Sequence, residues 1–285
     1  MARYLVTRNM QINHTAKLSG IVDGPGIHDL YRSRRTSGDA EASLSRGDSL
    51  MTDWGYKQFC PVAMASEVLG TRWTILVIRE LLCGSHHFND LRRGLPHISP
   101  ALLSKRLREL EELGVVSRQR DPENGNPFYR LTDAGEELHP VVMAIGCWGQ
   151  RWLEAQLSMK NLDPSLLMWD MRRNLDPDPL PSRKVTIQIL YHDVTPGQAK
   201  WWLVIDKAGA DGIVDLCRKD PGHDVDLYVA SDLRSMTAIW MGLMTVAEAI
   251  DSGKLQLTGA LQLKASMQSW LGLSTFASEP KQVDT

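Results

Sequence analysis

Residues 99–114 read SPALLSKRLRELEELG, and VVSRQR (115–120), DPENGNP (121–127) and FYRL (128–131) follow at once. Ser99 stands ahead of Pro100 as a cap before a first-turn proline, and Gly114 is placed to end the helix in the left-handed region. At about 100° per residue, with Leu103 at zero, Leu107 falls near 40° and Leu110 near 340°, while Ala101, Ser104, Lys105 and Arg108 fall between about 100° and 200°. One face is therefore leucine and the other is small, hydroxylated and basic. Arg106, on the flank of the apolar stripe, is expected to pair with an acid such as Glu109 or Glu80. The two short β-prone runs with Asp, Asn, Gly and Pro between them predict a hairpin.

Working towards the N-terminus, Phe88 to Leu95 predicts a short helix stopped by Pro96. Arg72 to Cys83 predicts another, with a stripe of Trp73, Leu76, Val77, Glu80 and Leu81, and Pro61 opens a third that ends at Gly70. Beyond the hairpin, Thr132 caps a helix whose Leu138, Val141, Val142, Ile145, Trp148 and Trp152 form an apolar seam wider than one small domain can cover. Helices followed by a hairpin are the arrangement of a winged helix-turn-helix. Its last helix enters the DNA major groove and its hairpin touches the flanking backbone. Arg118, Arg120 and Arg130, with Asn124 and Asn126 at the tip, are the candidate wing contacts; Ser99, Ala101, Ser104, Lys105 and Arg108 are those of the helix.

Charge supports this placement. Residues 56–132 carry 11 Lys and Arg against 8 Asp and Glu, and 133–182 carry 4 against 8, so an anionic partner should meet the earlier segment. No apolar run approaches the roughly 18 residues of a membrane-spanning helix, and the first residues lack a secretory pattern, so a soluble chain in the cytoplasm is expected. The four cysteines, Cys60, Cys83, Cys147 and Cys217, have neither disulfide nor metal-ligand spacing. Cys83, Cys147 and Cys217 lie in apolar contexts that suit packing. No metal, no cofactor and no catalytic set is expected; His192-Asp193, His223-Asp224 and His86-His87 lack the partners such sites need.

The stretch from Cys60 to Leu138 resembles the HxlR-type winged-helix transcriptional regulators. The pieces that carry the likeness are Cys60-Pro61, Gly70-x-Arg72-Trp73, the F-N-D-L of Phe88 to Leu91, Ile98-Ser99 with Leu103-Ser104-x-Arg106-Leu107, and Leu131-Thr132-x-x-Gly135. The resemblance implies a homodimeric regulator of double-stranded DNA, with dimer contacts from the first and last helices, in agreement with the seam of Leu138, Val142, Ile145, Trp148 and Trp152. It also implies a role for Cys60, since several members use a cysteine at the matching position to sense oxidants or electrophiles. Here that thiol precedes Pro61 at a helix N-terminus, where the dipole favours a thiolate. An inert thiol that merely suits the helix start is the other reading.

The expected class is α+β, with five divisions. Residues 1–55 read as a disordered arm or a misassigned start before Met51, a basic arm in a DNA groove being the alternative. Residues 56–158 form the winged helix with its dimer seam, 159–182 a proline-bearing linker, 183–275 a second domain, and 276–285 a tail. The second domain shows strand patterns at 185–191, 201–206, 212–217, 225–230 and 255–258, for which an antiparallel sheet is expected, with helices from Ser231, Thr245 and Ala260. From Asp232 through Trp240, Ala249-Ile250 and Ser252-Gly253-Lys254-Leu255 to Gly259 it resembles the sterol-carrier-protein fold. That likeness implies a tunnel for an apolar effector, and Trp201, Met236, Trp240, Met244, Met267 and Trp270 are the candidate lining; the same side chains would equally serve as core. The expected function is a DNA-binding transcription regulator modulated by an apolar effector or by Cys60. The alternative is a lipid carrier or interaction protein whose winged helix serves dimerisation only.

Overall fold

The computed structural model describes residues 55–121, 125–153, 159–208 and 214–283. The expected arm and the question of a start at Met51 lie outside them. Helix α1, Pro61–Leu69, exposes Val62 and Met64 and buries none of its residues. From Met64 onward the chain forms one compact unit.

That unit holds two apolar cores. The first is built by α2 (Thr74–Leu82), α3 (Phe88–Gly94), α4 (Pro100–Glu112), the hairpin β1 (Val116–Arg120) and β2 (Pro127–Leu131), α5 (Asp133–Glu136) and α6 (His139–Trp152). Val77, Ile78, Leu81, Leu91, Ile98, Leu103, Leu107, Leu110, Val116 and Tyr129 bury their side chains together. Of the expected α2 stripe, Leu76 is left exposed. Gly114 ends α4 at φ 72°, where a β-carbon would be strained. The helix expected from Thr132 onward comes in two pieces. Pro140 has no N–H to give to the preceding turn, so α5 ends and α6 starts afresh.

Residues 159–182 were expected as a linker, and they contain α7 (Pro164–Asn174). Asp163 caps it, accepting from the backbone N–H of Ser165 at 2.8 Å and of Leu166 at 3.2 Å. Leu167, Met168 and Met171 then enter the second core. The prolines at 164, 177, 179 and 181 had read as punctuation, but Pro164 occupies the first helical turn, where its missing N–H costs nothing.

The second core lies against a five-stranded sheet in the order β5-β4-β3-β6-β7. Its strands are β3 (Val185–Tyr191), β4 (Lys200–Ile205), β5 (Val214–Cys217), β6 (Leu227–Ser231) and β7 (Leu255–Gly259). The short α8 (Pro196–Ala199) precedes β4. The sheet is mixed, not antiparallel as expected: β3 pairs with β6 in parallel, Ile187 opposite Leu227 and Ile189 opposite Val229. Alternation along a strand reports which face is buried. It carries no information on strand direction, and here the chain crosses over after β5 to lay β6 on the free side of β3. Helices α9 (Leu233–Trp240) and α10 (Val246–Asp251) follow β6. The last helix expected from Ala260 to Leu271 is broken at Ser266 into α11 (Leu261–Ala265) and α12 (Met267–Trp270). Across that break the Trp270 indole N–H reaches back to the Leu263 carbonyl at 2.8 Å.

Candidate nucleic-acid interface

Every expected contact of α4 is at the surface. Ser99, Ala101, Ser104, Lys105 and Arg108 are exposed, while Leu103, Leu107 and Leu110 are buried. The Ser99 hydroxyl accepts from the Leu102 N–H at 3.2 Å and so serves as the cap. Lys105 is only loosely engaged, 3.9 Å from Glu109. Arg106 does pair with Glu109, as its flanking position predicted, and its Nε donates to the Arg72 carbonyl at 3.0 Å. This ties α4 to the turn before α2, where Trp73 holds φ 78° beneath the Arg72 guanidinium, 5.5 Å from its ring centre.

The wing packs against α4 through β1. Its antiparallel register sets Arg118 opposite Tyr129 and Arg120 opposite Pro127, on one face, and Arg130 opposite Ser117, on the other. The three arginines are all exposed, but they do not form a single cluster, and Arg130 lies over the Phe128 ring at 4.8 Å. Asn126 is exposed at the tip; Asn124 lies outside the described residues. Towards its turn the wing is pinned from the α2–α3 connection. Tyr129 N–H donates to the His86 carbonyl at 2.9 Å, and both His86 and His87 flank Phe128. At the other end the Thr132 hydroxyl donates to the Gly114 carbonyl at 2.6 Å, joining the end of β2 to the end of α4.

A helix with an exposed, partly basic face, joined to a hairpin that carries exposed arginines, is thus built into residues 72–132. The family model of the HxlR-like helix-turn-helix matches residues 68–157. The chain is 38% identical over 99 residues to the HTH-type transcriptional regulator YvaP of Bacillus subtilis, covering 34% of this chain and 92% of that one. To YodB, another HTH-type transcriptional regulator of Bacillus subtilis, it is 35% identical over 97 residues, or 33% of this chain and 87% of the relative. The chain belongs to the HxlR-like helix-turn-helix family of transcriptional regulators. Among solved structures, the reduced form of YodB aligns at 34% identity over 33% of this chain and 93% of its own, with a TM-score of 0.30. The residues after 157 lie outside the family match.

In this regulator α6 leaves its outer seam open. Val142 is buried and Leu138 half-buried, but Ile145, Trp148 and Trp152 are 45%, 58% and 51% exposed. Pro140, Val141, Ala144, Ile145 and Trp148 line a shallow apolar depression there. The opposite side of α6 is covered by the C-terminal segment, which the sequence had left as a featureless tail. The Phe276 ring lies over Gly146, Arg151 Nε donates to Glu279 at 2.7 Å, and Lys281 Nζ donates to the Leu153 carbonyl at 2.8 Å.

Cys60 is exposed, and the backbone N–H groups of Ala63 and Val62 hold its thiol below the ordinary value. The other cysteines are not core residues, contrary to their apolar sequence contexts. Cys83 is exposed, Cys147 sits 3.4 Å from a Glu279 carboxylate oxygen, and Cys217 is partly exposed beside Asp215. Burial and the neighbouring carboxylate both push the Cys147 thiol up. Of the six candidate lining residues, Trp201, Met236, Met267 and Trp270 are packed in the second core, while Trp240 and Met244 are half-buried against it. Among the described residues no three metal-ligating side chains converge, and no single helix is long and apolar enough to cross a membrane.

The pairing that sequence reading missed lies between the two cores. Glu80, expected in the α2 stripe, is fully buried and accepts from Arg173 of α7 through both arms of its guanidinium. Arg79 and Arg173 hold its carboxyl below the usual range despite burial. A charged residue on the buried side of a helix was the available signal; its partner, 93 positions away, had none.

Proposed function

We propose that this regulator binds double-stranded DNA as a homodimer, with α4 in the major groove and the β1–β2 wing on the flanking backbone. The observation that carries the reading is the exposed, largely uncommitted face of Ser104, Lys105 and Arg108 beside a hairpin bearing three exposed arginines. Replacing Lys105, Arg108 or Arg120 by Ala is expected to weaken binding, and each lost phosphate contact should flatten the slope of log affinity against log salt by about one unit. Titration of a labelled duplex at several salt concentrations measures this. Unchanged affinity and slope in all three variants would refute it. The open α6 seam supports the dimer: three large apolar side chains half in water is an arrangement that a symmetric partner would relieve.

We assign the C-terminal domain a regulatory role and take it as sterol-carrier-like, accepting an apolar effector at the margin marked by Trp240 and Met244. The favouring observation is the Trp240 indole N–H, buried without a hydrogen-bond partner, which a carboxyl or carbonyl oxygen at the end of an otherwise apolar effector would satisfy. A fluorescent fatty-acyl probe should bind the intact protein, and Trp240→Ala should weaken its uptake without unfolding the chain. No uptake by wild type would remove the effector. Thiol chemistry at Cys60 is a second input, supported by its exposure and its lowered pKa.

A further inference from the structure

Helix α7 belongs to the second core and is tied to α2 and α3 of the first by polar and ring contacts. Leu167, Met168 and Met171 fill the core beneath the sheet. The other side of the helix presents Trp169, Asp170 and Arg173 to α2 and α3. Arg173 Nη1 donates to Glu80 Oε2 at 2.9 Å and Nη2 to Glu80 Oε1 at 3.1 Å, a two-pronged contact, and Nη2 also meets Asp170. Arg79 pairs with the same Glu80 carboxylate and reaches the Gly94 carbonyl at 3.3 Å. Gly94, the last residue of α3, closes over the cluster so tightly that a β-carbon there would stand 1.9 Å from Glu80 Oε2. A second tie joins α7 to α3: the guanidinium of Arg93 lies over the Trp169 ring at 5.4 Å, and that of Arg172, on α7 itself, at 5.1 Å.

The destination of these contacts gives them meaning. Six residues after Gly94 the chain enters α4 at Pro100. Buried ion pairs are poor sources of net stability, because hydrophobic replacements do as well. A two-pronged guanidinium–carboxylate contact, however, fixes relative geometry, since it tolerates neither a slide nor a rotation. We infer that Arg173 is a positioning residue for DNA binding: from the C-terminal domain it clamps Glu80 and α3, and so sets the pose of the recognition helix. The inference rests on the DNA-binding reading above and adds its regulation. Any event that moves α7 in the C-terminal core moves α3, and through it the DNA-binding face.

The test uses Arg173→Lys in the full-length protein, which keeps the charge and removes the fork. Its readouts are amide hydrogen exchange and affinity for the duplex that wild type enriches from a random library. Expected are faster exchange across residues 88–112, unchanged protection of β3 and β4, and an affinity loss of about tenfold. The salt slope should stay the same, because no phosphate contact is removed. Should that variant fail to fold, Trp169→Leu removes the stacked ring without stranding a charge, and the same pattern is expected. Exchange and affinity equal to wild type, or protection lost equally in the sheet, would overturn the inference. Enrichment of no duplex by wild type would refute the DNA-binding reading instead, while the exchange pattern would still decide whether the clamp exists.

Discussion

Cys60 and Glu80 show how a residue's neighbours decide its chemistry. At Cys60 the first N–H groups of α1 point at sulfur, so the thiolate is favoured although no basic side chain is needed. Alkylation by iodoacetamide follows the thiolate. Cys60 is therefore expected to react ahead of Cys147, whose thiol is pushed the other way, with a rate that rises with pH through a midpoint below the ordinary thiol value. Peptide mapping after brief labelling across a pH series checks this, and equal labelling of both sites would contradict it. The sequence placed Cys60 at the helix start but could not place Cys147 beside Glu279, since those residues are 132 positions apart.

At the scale of elements, α6 has two sides with different occupants. One is covered by the chain's own C-terminal segment, and the other is the open seam of Val141, Ile145, Trp148 and Trp152. Trp148→Glu puts a charge where a dimer would bury an indole, and it is expected to convert the sedimenting species to a monomer at micromolar concentration with helix content intact. A dimer that survives the change would place the contact elsewhere. The covered side makes its own prediction. Truncation after Thr275 removes the Phe276 ring and the Arg151–Glu279 pair, and should speed hydrogen exchange in α6 more than in α4. Equal effects on both helices would mean that the segment does not hold α6 in particular.

For the whole molecule, α7 makes cooperative unfolding the expectation. Its apolar side fills one core and its charged side holds the buried Glu80 carboxylate of α2, so losing the helix exposes the one and strands the other. A single calorimetric transition is expected for wild type. Two are expected for Arg173→Lys if the tie loosens without either core failing. Two well-separated transitions in wild type would mean that the cores unfold independently.

The division of labour between sequence and tertiary structure follows from range. Ser99-Pro100, the leucines at 103, 107 and 110, and the Gly- and Asn-bearing turn after Arg120 are local instructions. Capping, helical period and turn chemistry act within a few residues, so α4, its exposed basic face and the hairpin after it were legible from the sequence alone. Alternation likewise marked the strands of the second domain. The direction of β6 beside β3, the helix in the supposed linker, the split of the wing arginines between two faces and the seat of Phe276 on α6 depend on which distant segments meet. Glu80 is the clearest case. Its burial was readable from its place in the α2 stripe, but a buried carboxylate must be paired, and only the folded chain brings Arg173 to within hydrogen-bonding distance.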